Sequence, residues 1–266
     1  GLKITDIPFN GADLANGIYI SNTDATNSVS GFTITGAADA IQIDIGGSNV
    51  IENNILRQAR TFGINHTSNG NPNIRNNIIV NNAGGGISAG SGTNGNIIGN
   101  LVRQNSRSSG GGIFINDSSV VFENNLIVEN RSTIDSASGG GSGIYVATGT
   151  STATLINNTI ANNTSIDTGG GEGAGVHVES DGGTITIRDN IIFGNIDASG
   201  TPDNDIMDDA RSGTITSNNN IIGVIQATGN SFVADASDLV GSNPEFVKGW
   251  YLNSPIDVGT DSPAID

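Results

Sequence analysis

The chain has 266 residues, 35% of them hydrophobic but only 5% aromatic, with 39 glycines and no cysteine. It is long enough to bury a sizeable core, which small and β-branched residues must fill, and without cysteine it has no disulfides, no thiolate catalysis and no cysteine-ligated zinc. A formal charge of −16, from 26 acidic against 10 basic residues, opposes nucleic-acid binding, in which phosphate neutralisation supplies most of the affinity, and disfavours unaided binding of polyuronates. No window reaches the run of about 18 apolar residues of a membrane helix, so no membrane insertion is expected.

Along the chain two columns recur. The first is a branched apolar residue, usually after glycine, at Ile18, Ile41, Ile64, Ile87, Ile113, Ile144, Val176 and Ile206. The second is an asparagine inside IxNNxI-like runs, at Asn54, Asn77, Asn100, Asn125, Asn158, Asn190 and Asn220, with Gly31 one period earlier. Successive intervals in this column, from residue 31, are 23, 23, 23, 25, 33, 32 and 30. A third column follows five residues later at Asn82, Asn105, Asn130, Asn163 and Asn195. Periods of 20 to 50 residues mark a solenoid.

Each repeat holds three short alternating runs with no helical period, so the units are strands of roughly 3 to 5 residues. Two-residue hairpin signals are missing, so each strand pairs with its equivalent one coil on. The fold class is all-β, a parallel β-helix of about eight coils over residues 1–240, with residues 241–266 as a tail packing on or capping the last coil. The asparagines are read as scaffold. Asn77 is expected at a sharp corner in the left-handed conformation that asparagine tolerates, with the amides of its column bonding along the axis. Insertions enter at one corner, at residues 104–111, 131–142, 164–174 and 196–204.

The repeated GIxI…IxNNxI pattern over roughly residues 17 to 225 resembles the right-handed parallel β-helix proteins of the pectate-lyase-like superfamily. The ending NPEF…GWYL…DSPAID, residues 243–266, is similar to the tail of many secreted bacterial β-helix proteins, whose chains usually continue beyond it. The resemblance implies that an active member is a polysaccharide lyase, hydrolase or epimerase. Its groove then runs along the outer face of the first-strand sheet, walled by loops at the corner where this chain has its insertions.

With the Ile column inward, the outward residues of that sheet are Tyr19, Gln42, Asn65, Ser88, Phe114, Tyr145, His177 and Met207. Two residues further on stand Asp44, Asn116, Glu179 and Asp209. Tyr145, His177 and Glu179 are the catalytic candidates, since a Tyr–His pair can abstract and return a proton near neutral pH. Phe114, Asn116, Tyr145 and His177 are the candidates for substrate contact. No basic residue falls in these columns, because Arg57 and Arg103 map to the third sheet and Arg75 and Arg188 to the second. The acidic run DASGTPDNDIMDD offers Asp203, Asp205, Asp208 and Asp209 as candidate calcium ligands through hard oxygens. Asn-x-Ser/Thr triplets arise from composition and carry no argument.

Two functions are carried forward. One is a non-catalytic extracellular or cell-surface module, a spacer, adhesive or fibre-forming rod, with end-to-end self-association or adjoining domains as partners. The other is a polysaccharide-modifying enzyme centred on the outer face of the first sheet. A first coil that opens without a recognisable capping segment, where proteins normally shield strand edges, favours the first.

Overall fold

A computed structural model describes residues 3–4, 15–21, 26–44, 46–133, 140–147, 149–166, 173–179, 182–196, 205–208, 213–227, 232–247 and 251–252. The tail from residue 253 lies outside the described residues, and with it most of the proposed cap. Within 241–252, Phe246–Val247 pairs antiparallel with Tyr251–Leu252.

Three parallel sheets of nine, eight and ten strands form the body. The first sheet runs from Ile18–Ile20 to Ile225–Ala227, the second from Ser28–Ser30 to Thr214–Asn218, and the third from Lys3–Ile4 to Leu239–Val240. The chain visits the three in turn and returns one rung higher, so every coil pairs only with its neighbours. This is the parallel β-helix expected from the repeat, with eight coils that contribute a strand to each sheet. At ~4.8 Å per rung the body is roughly 40 Å long.

Strand alternation builds the interior. In Ile78–Ile79–Val80, Ile79 is fully buried whereas Ile78 is 40% exposed. Stacked in register above and below Ile79 are Leu56 and Val102, also fully buried. Ile41, Ile64, Ile87, Ile113 and Ile144 form the matching row of the first sheet. Aliphatic side chains fill most of the layers, with Phe122 as a fully buried ring in the second sheet, so few aromatic residues are needed.

The asparagine pairs divide the work of the corner. Asn76, not Asn77, takes the left-handed backbone, with φ 54°, as do Asn53, Asn124, Asn157, Asp189 and Asn219 in their coils. Asn77 is buried beside it. Its side-chain NH2 donates to Asn100 Oδ1 at 3.0 Å and to the Ile51 carbonyl at 2.8 Å. Its Oδ1 accepts from the backbone N–H and side-chain amide of Asn54, each at 3.0 Å. Both donors and both lone pairs of the amide are satisfied, which is what a buried asparagine requires. The expectation of a turn at Asn77 is corrected by one residue, because a turning side chain faces solvent and a stacking one faces the next rung. Gly31 shifts likewise: Thr33 pairs with Ile55, so Phe32 stands opposite Asn54 and donates its N–H to Asn54 Oδ1 at 2.9 Å.

The second row, Asn82 to Asn195, repeats this geometry and explains the glycine before the first-sheet strands that start at Ile64, Ile87, Ile113, Ile144 and Val176. A Cβ at Gly63, Gly86, Gly112, Gly143 or Gly175 would stand 2.8–3.1 Å from the side-chain nitrogen of Asn82, Asn105, Asn130, Asn163 or Asn195 respectively. The backbone there must pass against the amide row, so only glycine fits.

A count of three strands per coil is incomplete. After Asn105 the chain adds a short fourth segment, where Ser106–Arg107 pairs with Arg131–Ser132, and Arg131, Thr164 and Ile196 continue it as single bridges. The insertions start as stacked extended backbone, because the row that precedes them is already in register.

Candidate functional site

The outward residues of the first sheet fall in one register: Tyr19, Gln42, Asn65, Ser88, Phe114, Tyr145, His177, Met207 and Gln226. Buried residues on both sides, aliphatic around Phe114, Tyr145 and His177 and Ile206 with Asp208 around Met207, force the middle residue outward. The Phe114 and Tyr145 ring centroids are 5.8 Å apart, and those of Tyr145 and His177 are 5.4 Å apart. The rung spacing thus lays these rings in a tilted stack.

The structure brings the three catalytic candidates together. Tyr145 donates its hydroxyl to Glu179 Oε2 at 2.6 Å, and His177 Nε2 lies 3.8 Å from Glu179 Oε1. A smaller version of this arrangement stands at the start of the sheet. There Tyr19 donates to Asp44, which also accepts from Gln42 at 2.5 Å. The bond to Asp44, with burial and the nearby carboxylate charge, raises the Tyr19 pKa above the ordinary phenol value.

These two clusters differ in access. Tyr19 is 54% exposed, whereas Tyr145 is 6%, His177 0% and Met207 3% exposed. Glycines from the insertion corner lie directly over the later residues. A Cβ on Gly140 would overlap His177 Nδ1, one on Gly173 would stand 2.5 Å from Met207 Cβ, and one on Gly110 3.0 Å from Phe114 Cβ. Successive straps are themselves paired, Gly110 N–H to the Gly140 carbonyl at 3.0 Å and Gly141 N–H to the Gly173 carbonyl at 2.9 Å. The tyrosine, carboxylate and imidazole could pass a proton among themselves, but the imidazole is sealed beneath backbone.

Asn116 lies past the end of its strand, half-buried, with its N–H on the Ala89 carbonyl at 3.0 Å, outside the aromatic stack. Arg107 corrects the expectation of a face without basic residues. It enters from the corner and lays its guanidinium 3.9 Å from the Phe114 centroid and 5.2 Å from that of Phe62. It donates to the Ser109 carbonyl at 2.6 Å. Burial lowers its pKa, an effect opposed by the Tyr145 hydroxyl. A cation held between two rings in this way is stabilised by their faces. Counting strand positions could not place it, although its position inside the first insertion was the available signal.

Of the metal candidates, Asp203 and Asp209 lie outside the described residues. Asp205 occupies the glycine position of its coil and ends the second asparagine row. Its Oδ1 accepts the Asn195 N–H at 3.0 Å, and its Oδ2 accepts the Val224 N–H at 2.9 Å. Asp208 pairs in register with inward-facing Val178, is buried, and accepts the Phe232 N–H at 3.1 Å. No group of three or more metal-binding side chains occurs among the described residues.

Two further polar residues are buried outside the asparagine rows. His66 faces inward with 0% exposure and pairs through Nδ1 with Thr93 Oγ1 at 2.8 Å, and burial pushes its pKa down to about 4. Asp39 is buried at the corner, where it accepts the Phe62 N–H and the Asn65 side-chain amide, each at 2.9 Å.

Parallel coils stacked around an aliphatic interior and stitched by buried asparagine rows define a β-helix. Residues 16–192 match the family model of the right handed beta helix region, and the chain belongs to that family. Comparison with curated proteins and with solved structures finds no match.

Proposed function

We propose that this β-helix serves as a rigid spacer or display module of a secreted or cell-surface protein and has no glycan-cleaving activity of its own. The observation that carries the reading is the covered outer face of the later first-sheet strands, where the candidate acid–base groups stand. A lyase or hydrolase must lay a polysaccharide along reachable acid–base groups, and here Gly140 rests on the His177 ring while Tyr145 is 6% exposed. Polar chemistry has been spent on rows of asparagine that stiffen the rod. The likeness of the coil pattern and ending to secreted bacterial members of the pectate-lyase-like superfamily supports the extracellular placement. End-to-end contact between copies, as an adhesive or fibre-forming arrangement, fits parallel coils whose edge strands can continue one another.

A second reading, polysaccharide lyase, hydrolase or epimerase, draws on the Tyr145–Glu179–His177 cluster and on Arg107 beside it. Calcium stays with this reading as a cofactor supplied through Asp203 and Asp209. The test is to incubate the purified chain with acidic and neutral glycans, with and without calcium, while following its particle length by solution scattering. The expected result is a rod that releases no product. Product release abolished by Tyr145→Phe and Glu179→Gln overturns the structural reading.

A further inference from the structure

The interior of the third coil holds a titratable group in a place that no repeat rule requires. His66 is the last residue of the strand Ile64–His66, and its register partners on the neighbouring strands are Ile43 and Ala89. Its ring is completely buried. The Thr93 hydroxyl donates to the Gly90 carbonyl at 2.6 Å, so its oxygen meets His66 Nδ1 at 2.8 Å as an acceptor. The neutral ring therefore carries its proton on Nδ1. Nε2 is left as a bare acceptor with no hydrogen-bond partner among the described residues.

We propose that His66 is an acid-sensitive latch: its neutral Nδ1–H ring holds the third coil closed, and a proton on Nε2 opens the coils around it. An imidazolium at this position would be a buried cation without a counter-charge, which is far costlier than a neutral ring. The strands on either side present Ile43 and Ala89, and the opposing sheets present Ile51, Ile74, Ile97, Leu56, Ile79 and Val102, none ionisable. The acidic side chains of these coils, Asp39, Asp44 and Glu52, are engaged away from the interior, Asp39 and Asp44 by Asn65, Tyr19 and Gln42 and Glu52 by Arg75 at 2.7 Å. Each coil bonds only to its neighbours, so opening starts around residues 41–98 and uncouples the coils before them from those after.

The direction with pH follows from linkage. Above the ordinary value of 6.5 both folded and unfolded chains hold a neutral ring, and the latch is intact. As pH falls below 6.5 the unfolded chain takes up a proton that the folded coil refuses until about pH 4, so stability is lost across that window.

The experiment compares urea unfolding of the intact chain and of His66→Leu at about pH 7.5 and about pH 5, where carboxylates stay charged. The folding equilibrium constant of the wild type should fall about 30-fold more than that of the variant, tenfold for each pH unit below the unfolded value. Hydrogen exchange at the lower pH should quicken first in residues 41–98. Parallel losses in the two proteins overturn the proposal. Nitrogen NMR of the wild-type rings keeps the question open to refutation if the variant fails to fold, with His177, the only other histidine, identified through His177→Asn. Nε2 of His66 should stay unprotonated down to about pH 5, and a proton on Nε2 at neutral pH, or a midpoint near 6.5, overturns the latch.

Discussion

Asp238 stands one rung beyond Asn220, and its Oδ1 accepts both the backbone N–H and the side-chain amide of Asn220, each at 2.8 Å. Asp205 does the same for Asn195 in the second row. Every amide in both rows donates toward the C-terminal end, so each row finishes on donors that need an acceptor. A carboxylate has acceptors only and fits that place.

Replacing Asp238 by Ala should therefore cost about 2–3 kcal/mol of stability, the value of hydrogen bonds to a charged group at a half-buried site. Asp238→Asn, which keeps an oxygen in place, should lose less than half of that. Equilibrium unfolding measures both, and hydrogen exchange should show the Ala variant fraying first at Asn220 and Ile221.

Adjacent asparagines should respond in opposite ways. Asn76→Gly keeps the left-handed corner and should change stability by about 1 kcal/mol or less. Asn77→Ala removes an acceptor from two buried Asn54 donors and a donor from the Ile51 carbonyl, and should cost roughly 3 kcal/mol or more. Equal effects in thermal or urea unfolding would mean that the two residues do not divide the corner as described.

Gly140→Ala should destabilise by about 1–3 kcal/mol, because the new methyl overlaps the His177 ring. Pairing it with His177→Ala should recover part of the loss. A double-mutant cycle with a coupling of about 1 kcal/mol or more supports the strap as a fixed cover. Strict additivity would show that the strap stands away from the ring.

Tyr145→Phe deletes the hydroxyl bonded to Glu179 and should cost about 1 kcal/mol of stability. Product release from any glycan should be the same as in the wild type, namely none. A loss of activity without a loss of stability would favour the enzymatic reading.

How much of this was open to view in the sequence depends on periodicity. The Ile and Asn columns recur at intervals short enough to compare by eye, and they carry the coil count and the parallel stacking. Which asparagine of a pair turns and which one stacks is a question of φ, and Asn76 and Asn77 are chemically identical in the sequence. Residues that break the period were hidden for the same reason. Arg107 reaches the first sheet from a corner that has no column, and Asp238 does its work eighteen positions after Asn220, where no repeat continues. His66 occupies an inward place that aliphatic residues hold in the coils beside it; alternation from Ile64 gives that side of the strand, but the pairing with Thr93, 27 residues away, has no column to announce it.

The uniform direction of the asparagine rows has a consequence for how such a chain can change in length. Asn54, Asn77 and Asn100 each accept from the coil before and donate to the coil after in the same way, at intervals of 23 residues. One such unit could be removed or duplicated while the start at Phe32 and the carboxylate stops at Asp205 and Asp238 kept their partners. Length is therefore a countable property of this molecule, adjustable in steps of one rung without redesigning either end.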